Sequence, residues 1–166
     1  SVAGEHAGHA VIEVKAGTVP DTAHTVWLQV KDVFVAKHNA RNVLGVVKAK
    51  GNSKDWVVVT AHYDHLGMMG PDALFPGAND NASGSSMLLC LAQWAKDHPQ
   101  KFNILFIAFA GEEAGLKGSE FFVADHPLDL SRIKLLINLD LNGTGDDGIT
   151  VVNADSQKKV YDKLVA

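Results

Sequence analysis

The sequence predicts an α/β fold with a mixed, largely parallel central sheet. Three observations predict it. Apolar runs too short for helices occur at residues 57–60, 104–109 and 133–139, and runs of that kind without polar alternation read as strands covered on both faces. Stretches with apolar residues at helical spacing separate them, most clearly at residues 87–95. Each run also ends, on its C-terminal side, in titratable side chains, which is where open parallel sheets build their sites.

A length of 166 residues predicts one domain with room for a sizeable core. Residues 1–25 are read as a poorly defined N-terminal segment of it, because Gly4, Gly8, Gly17 and Pro20 interrupt the pattern. The net charge of −4 and the scattered Lys and Arg residues exclude a basic nucleic-acid-binding face. No apolar run reaches the roughly 20 residues of a membrane span. The lone Cys90, set among leucines, reads as a small core residue rather than a reactive thiol.

In order along the chain, residues 11–14 read as a short strand. His6, His9 and His24 have no nearby carboxylate pair and read as solvated. Alternation over residues 25–35 suggests strands with one wet face. Residues 42–50 suggest another strand, and the turn cluster at 51–55 makes it an antiparallel neighbour of the strand at 56–61. That strand runs into His62, Asp64 and His65. In extended chain His62 and Asp64 share a face and His65 points away. Residues 67–77, with Gly70, Pro71, Pro76 and Gly77, read as a loop.

Asp80 then stands just ahead of a helix with Asn81 or Ser83 as its cap, with Met87, Leu88, Leu91, Ala92 and Ala95 facing inward, and with its end at His98-Pro99. The second buried strand closes in Glu112 and Glu113. Two like charges side by side raise at least one pKa unless a cation is present. A helix is expected over 116–124, and a third buried strand over 133–139 delivers Asp140. Residues 142–148 form a turn cluster, 149–152 read as a strand, and 155–166 read as a helix with Val160, Leu164 and Tyr161 inward.

Each acid alone has a bland explanation in capping or turns. Gathered at the ends of parallel strands, they would repel one another unless cations sat among them. Imidazole plus carboxylate suits zinc, and a carboxylate-rich site can hold two metals about 3.5 Å apart.

Four stretches sharpen this reading. They are His62-Tyr-Asp-His-Leu-Gly67, Gly77-Ala-Asn-Asp-Asn-Ala-Ser-Gly84, Gly111-Glu-Glu-Ala-Gly-Leu-Lys-Gly-Ser119 and Asn138-Leu-Asp140. In this order they resemble the motifs of the M28 family of zinc aminopeptidases, over residues 40–150. The resemblance implies a three-layer, zinc-exopeptidase-like sandwich that hydrolyses peptide substrates and releases N-terminal amino acids. By motif position, His62 and Asp140 bind one zinc, Glu113 binds the other and Asp80 bridges them. Asp64 supports His62, Glu112 is the general base on a metal-bridging water, and the Asp80–Asn81 bond is cis. A secreted or periplasmic location is implied by the resemblance alone.

The family pattern also needs a fifth ligand, a histidine beyond the third acidic strand, and no histidine follows His126. His126 is a poor substitute, because the helix after Glu113 carries it about 20 Å away. The resemblance therefore implies two zinc ions in a complete enzyme, with one or fewer held tightly by this chain. It also implies a missing C-terminal part, the histidine coming from that segment or from a second chain. Two other readings remain open: a non-catalytic binding module with a partial metal site, and a glutaminyl-cyclase-type acyltransferase.

Overall fold

The computed structural model describes residues 14–27, 29, 35, 37–125, 127–145 and 148–166. The elements run β1 (Val43–Val47), β2 (Trp56–His62), β3 (Met68–Met69), β4 (Ala73–Leu74), α1 (Gly84–Asp97), β5 (Asn103–Phe109), α2 (Lys117–Asp125), β6 (Ile133–Asn138) and α3 (Lys158–Leu164). Four strands form one sheet in the order β1-β5-β2-β6. β2 is parallel to both β5 and β6, and β1 is antiparallel to β5.

Parallel pairing of β2 with β5 requires a crossover, and α1 supplies it. Alternate side chains of each central strand go to opposite faces. On one face Val59, Ala61, Ile104 and Phe106 meet Leu88 and Ala95 of α1. On the other, Val58, Leu105 and Ile107 meet Phe122 of α2. The result is three layers with helices on both faces of a largely parallel sheet, as the sequence predicts. Each fully buried aliphatic side chain contributes about 1.5–3 kcal/mol relative to exposure. The largest fully buried aliphatic side chains are Ile107 and Val58, one on each central strand.

Several expectations are corrected. β1 does not lie beside β2, because β5 is inserted between them. The turn after β1 is tied instead to the start of β5: Lys50 N donates to the Gln100 carbonyl at 2.8 Å, and Ala49 N to Asn103 Oδ1 at 3.1 Å. β6 is not buried on both faces. It occupies the rim of the sheet with Leu136 56% exposed, and no strand flanks its outer side among the described residues. An apolar run shows what a strand can bury, and the neighbours that would bury it are a separate matter.

Residues 149–152 form no strand, and Ile149 and Val152 are exposed. In α1 the continuous apolar stretch hides the phase of the helix. Leu88, Leu91, Ala92 and Ala95 face the sheet, whereas Met87 and Cys90 are exposed. In α3, Val160 and Tyr161 are half-buried but Leu164 is exposed. The loop at 67–77 contains the small antiparallel hairpin β3–β4. Residues 11–13 of the strand expected at 11–14 and most of that expected at 25–35 lie outside the described residues, as does His126; residues 14, 25–27, 29 and 35 carry no strand. No helix among the described residues is long and apolar enough to cross a membrane.

Candidate metal centre

The parallel strands β2, β5 and β6 end along one edge of the sheet, and the site is assembled there. β2 delivers His62, whose side chain is 3% exposed. The strand end is held by the hydroxyl of Ser85 on α1, which donates to the His62 carbonyl at 2.9 Å. On the β6 side, Thr60 Oγ1 donates to Asn138 Oδ1 at 2.7 Å. His62 Nδ1 lies 3.1 Å from the Asp64 carbonyl. A carbonyl can only accept, so this bond puts a proton on Nδ1, and in the neutral ring the Nε2 lone pair is then free. Nε2 faces Asp80 Oδ1 at 3.1 Å and Asp140 Oδ1 at 3.4 Å.

Asp80 comes from an irregular turn, Ala78–Ser83, in which Asp80 and Asn81 leave helical geometry and the bond between them is cis. Asn81 fixes this turn to the end of β6. Its Nδ2 donates to the Leu139 carbonyl at 3.0 Å, and its Oδ1 accepts the Gly84 amide at 3.0 Å. Asn142 N donates to Ser83 Oγ at 2.9 Å and Gly143 N to Asn79 Oδ1 at 2.7 Å. Two loops far apart in sequence are thereby laced together, which brings Asp80 and Asp140 to one imidazole. Gly84 is required for this approach, because a Cβ there would lie 2.5 Å from the Leu139 carbonyl oxygen.

β5 delivers the glutamate pair. The Asp64 carboxylate accepts the Glu112 amide at 3.0 Å and the Glu113 amide at 3.1 Å. Glu113 Oε1 lies 2.7 Å from His65 Nδ1. Two groups of prospective ligands result, His62–Asp80–Asp140 and His65–Asp80–Glu113, each with its donor atoms within 4.8 Å of one another. Asp80 is common to both.

The electrostatics fit a cation. Asp64, Asp80, Glu112, Glu113 and Asp140 gather around two imidazoles, and among the described residues no Lys or Arg forms an ion pair with any of the five. Burial works against a charged His62, but the Asp140 carboxylate, the Asp64 carbonyl, Glu112 and Asp80 outweigh it and hold the imidazole pKa above its ordinary value. Burial raises the Glu112 pKa; nearby His62 opposes the rise, and Glu113, Asp140 and Asp64 add to it. Imidazole nitrogen plus carboxylate oxygen is a donor set suited to zinc. An apolar cleft of about 390 Å³ opens beside these groups, bounded by Ile107, Phe109, Phe122 and Leu136, with His62, Glu112 and Asp140 also on its walls.

The profile of Peptidase family M28 matches residues 42–166. The chain belongs to peptidase family M28. Aminopeptidase YwaD of Bacillus subtilis is 43% identical over 108 residues, which is 63% of this chain and 22% of that protein. The solved structure of BSAP, a zinc aminopeptidase from Bacillus subtilis, superposes with a TM-score of 0.56 at 36% identity, covering 74% of this chain and 32% of that one. A leucine aminopeptidase precursor from Bacteroides thetaiotaomicron gives a TM-score of 0.57 at 25% identity, covering 74% and 51%. The chain spans about a fifth to a third of the length of the curated relatives it matches.

Within this M28 domain, the structure brings together all six residues singled out from the sequence: His62, Asp64, Asp80, Glu112, Glu113 and Asp140. Two details differ. Asp64 meets the His62 ring through its backbone carbonyl, while its carboxylate stands 3.8 Å from Nδ1 and holds the glutamate turn instead. His65 turns toward the site. Strand alternation predicted the opposite, but β2 ends at His62, so the rule does not extend to residue 65. The sequence reading also assigned no lacing role to Asn79, Asn81 or Ser83; the only signal was their clustering around Asp80. His24 is exposed and belongs to neither group.

Proposed function

We propose that the protein is a zinc-dependent aminopeptidase, hydrolysing peptide bonds and releasing N-terminal amino acids, with the described residues as one peptidase domain. The observation that carries this reading is the pair of imidazole–carboxylate groups sharing Asp80. In this assignment His62 and Asp140 would hold one ion, Glu113 would hold the other, and Asp80 would be available to both. Bound zinc supplies a positive charge that acidifies water and polarises a carbonyl.

The chain's own residues supply the proton chemistry. Glu112 is in neither ligand group, so its carboxylate is free to accept a proton from the attacking water and hand it to the departing amine. In the metal-free protein burial and the neighbouring acids raise its pKa, while His62 opposes the rise. Asp64 holds the Glu112 amide, and so the position of the base. The apolar cleft excludes water beside the reacting groups and accommodates substrate side chains. Likeness to proteins named as an aminopeptidase and a zinc aminopeptidase supports the same reading.

The test is hydrolysis of aminoacyl-p-nitroanilides and short peptides by the complete gene product loaded with zinc. Release of the first residue, abolished by a chelator and restored by zinc, is the expected result. A zinc-loaded protein that leaves these substrates untouched refutes the reading. Cyclisation of an N-terminal glutamine peptide instead would assign the site to acyl transfer.

A further inference from the structure

We infer that the β3–β4 hairpin is a peptide-binding element, one face of which takes the apolar side chain that follows the scissile bond. The inference rests on the aminopeptidase reading and deepens it by naming a preference. The hairpin is inserted between His65 and Asp80, so both of its arms are rooted in the candidate site. Its strands pair Met68 with Leu74 and Met69 with Ala73. Paired residues share a face and successive pairs take opposite faces, so Met69 and Ala73 stand on one face and Met68 and Leu74 on the other. The Phe75 amide continues the ladder by donating to the Gly67 carbonyl at 2.8 Å, and Pro76 behind it keeps Phe75 extended. Phe75 therefore joins the face of Ala73 and Met69.

That face starts at the site and leads away from it. The Phe75 ring meets the His65 imidazole edge-on with centroids 6.5 Å apart, and His65 Nδ1 lies 2.7 Å from Glu113 Oε1. Ala73 and Met69 stand two residues further out, about 7 Å along the strand. Met69 is 55% exposed and belongs to neither core cluster, so packing of the fold does not account for it. Methionine suits a surface that meets varied side chains, because its unbranched, polarisable chain adapts to their shape. The occupant is the peptide beyond the scissile bond. An aminopeptidase substrate has one residue before that bond and a chain of any length after it, and the longer part needs a surface that runs outward. The apolar cleft beside His62, Glu112 and Asp140 is lined by no hairpin residue, so the two surfaces are separate.

Kinetics of the complete gene product loaded with zinc test this, using two dipeptide amides that begin with leucine and continue with phenylalanine or with glycine. The wild type is expected to favour the phenylalanine peptide in kcat/KM. Met69→Ser is expected to cut that value by about tenfold, the scale of a lost apolar contact, and to leave the glycine peptide unchanged. Met69→Leu, which stays apolar, should keep the preference, and so should Met68→Ser on the opposite face. Zinc content and Tm should match the wild type in all three variants. A wild type that does not distinguish the two peptides, or a Met69→Ser variant that keeps the full preference, overturns this inference and leaves the aminopeptidase reading standing. An equal loss in Met68→Ser overturns it as well, because the effect would then not belong to one face. A lower Tm in Met69→Ser would mean that the rest of the protein covers Met69 in place of substrate, which also overturns it. A wild type that hydrolyses neither peptide removes the aminopeptidase reading and this inference together.

Discussion

Asp64 Oδ1 accepts the backbone amide of Glu112 at 3.0 Å, and Oδ2 of the same carboxylate takes the next amide, that of Glu113, at 3.1 Å. One side chain at the end of β2 thus sets where both glutamates beyond β5 stand. An acceptor-only group with two oxygens is what this double contact needs. Asp64→Asn leaves one oxygen and turns the other contact into donor facing donor. The expected cost is about 1–3 kcal/mol of stability, together with a fall in both turnover and zinc affinity. Thermal unfolding and zinc titration check it, and unchanged zinc affinity would contradict the positioning role.

Glu112→Gln removes the base and keeps the shape. Zinc content should be unchanged, because the residue belongs to neither ligand group. Turnover of the complete gene product should fall by about 10²–10⁴, with a smaller change in KM. A variant that keeps its turnover would move the proton transfer to another residue.

Gly84→Ala forces a methyl against the Leu139 carbonyl and Asn81 Oδ1, both of which take part in the lacing between the Asp80 turn and β6. Neither neighbour is the free end of a flexible chain. A loss of about 1–3 kcal/mol or more is expected from the overpacking, and zinc affinity should drop as Asp80 and Asp140 separate. Denaturant unfolding and metal counting read the two effects separately.

The pH dependence has a definite sign in the metal-free protein. The pKa of His62 is raised above the ordinary imidazole value of 6.5. Its ion pairs therefore add stability that is full below 6.5 and is lost as pH climbs through the raised value. Glu112 is raised above 4.5, so folding favours its neutral form, and that contribution likewise fades as pH rises through its folded value. Zinc reverses the trend, because it binds the neutral imidazole and the ionised acids. The rise in Tm on adding zinc should therefore be larger at about pH 8 than at about pH 6. An equal rise at both would mean that the ion does not compete with protons for these groups.

How much of this was legible in the sequence depends on how local each fact is. The buried strands β2 and β5 announce themselves, because Val58, Val59 and residues 104–107 leave no polar face to point at water. The acids were legible because each ends a run or heads a helix. Strand order was not: the partner of Val43–Val47 depends on where α1 delivers β5, and no short window contains that information. His65 was misread because alternation holds only while the chain stays extended, and β2 ends at His62. Cys90 and Met87 were misread because an unbroken apolar stretch does not reveal which side of its helix meets the sheet.

The open rim at β6 has a practical outcome. Leu136 and Ile137 stand on it beside backbone groups that have no strand to bond among the described residues. Such a border is a template for another strand. Handled alone and concentrated, these 166 residues should self-associate and precipitate, and a charged residue in place of Leu136 should keep them dispersed.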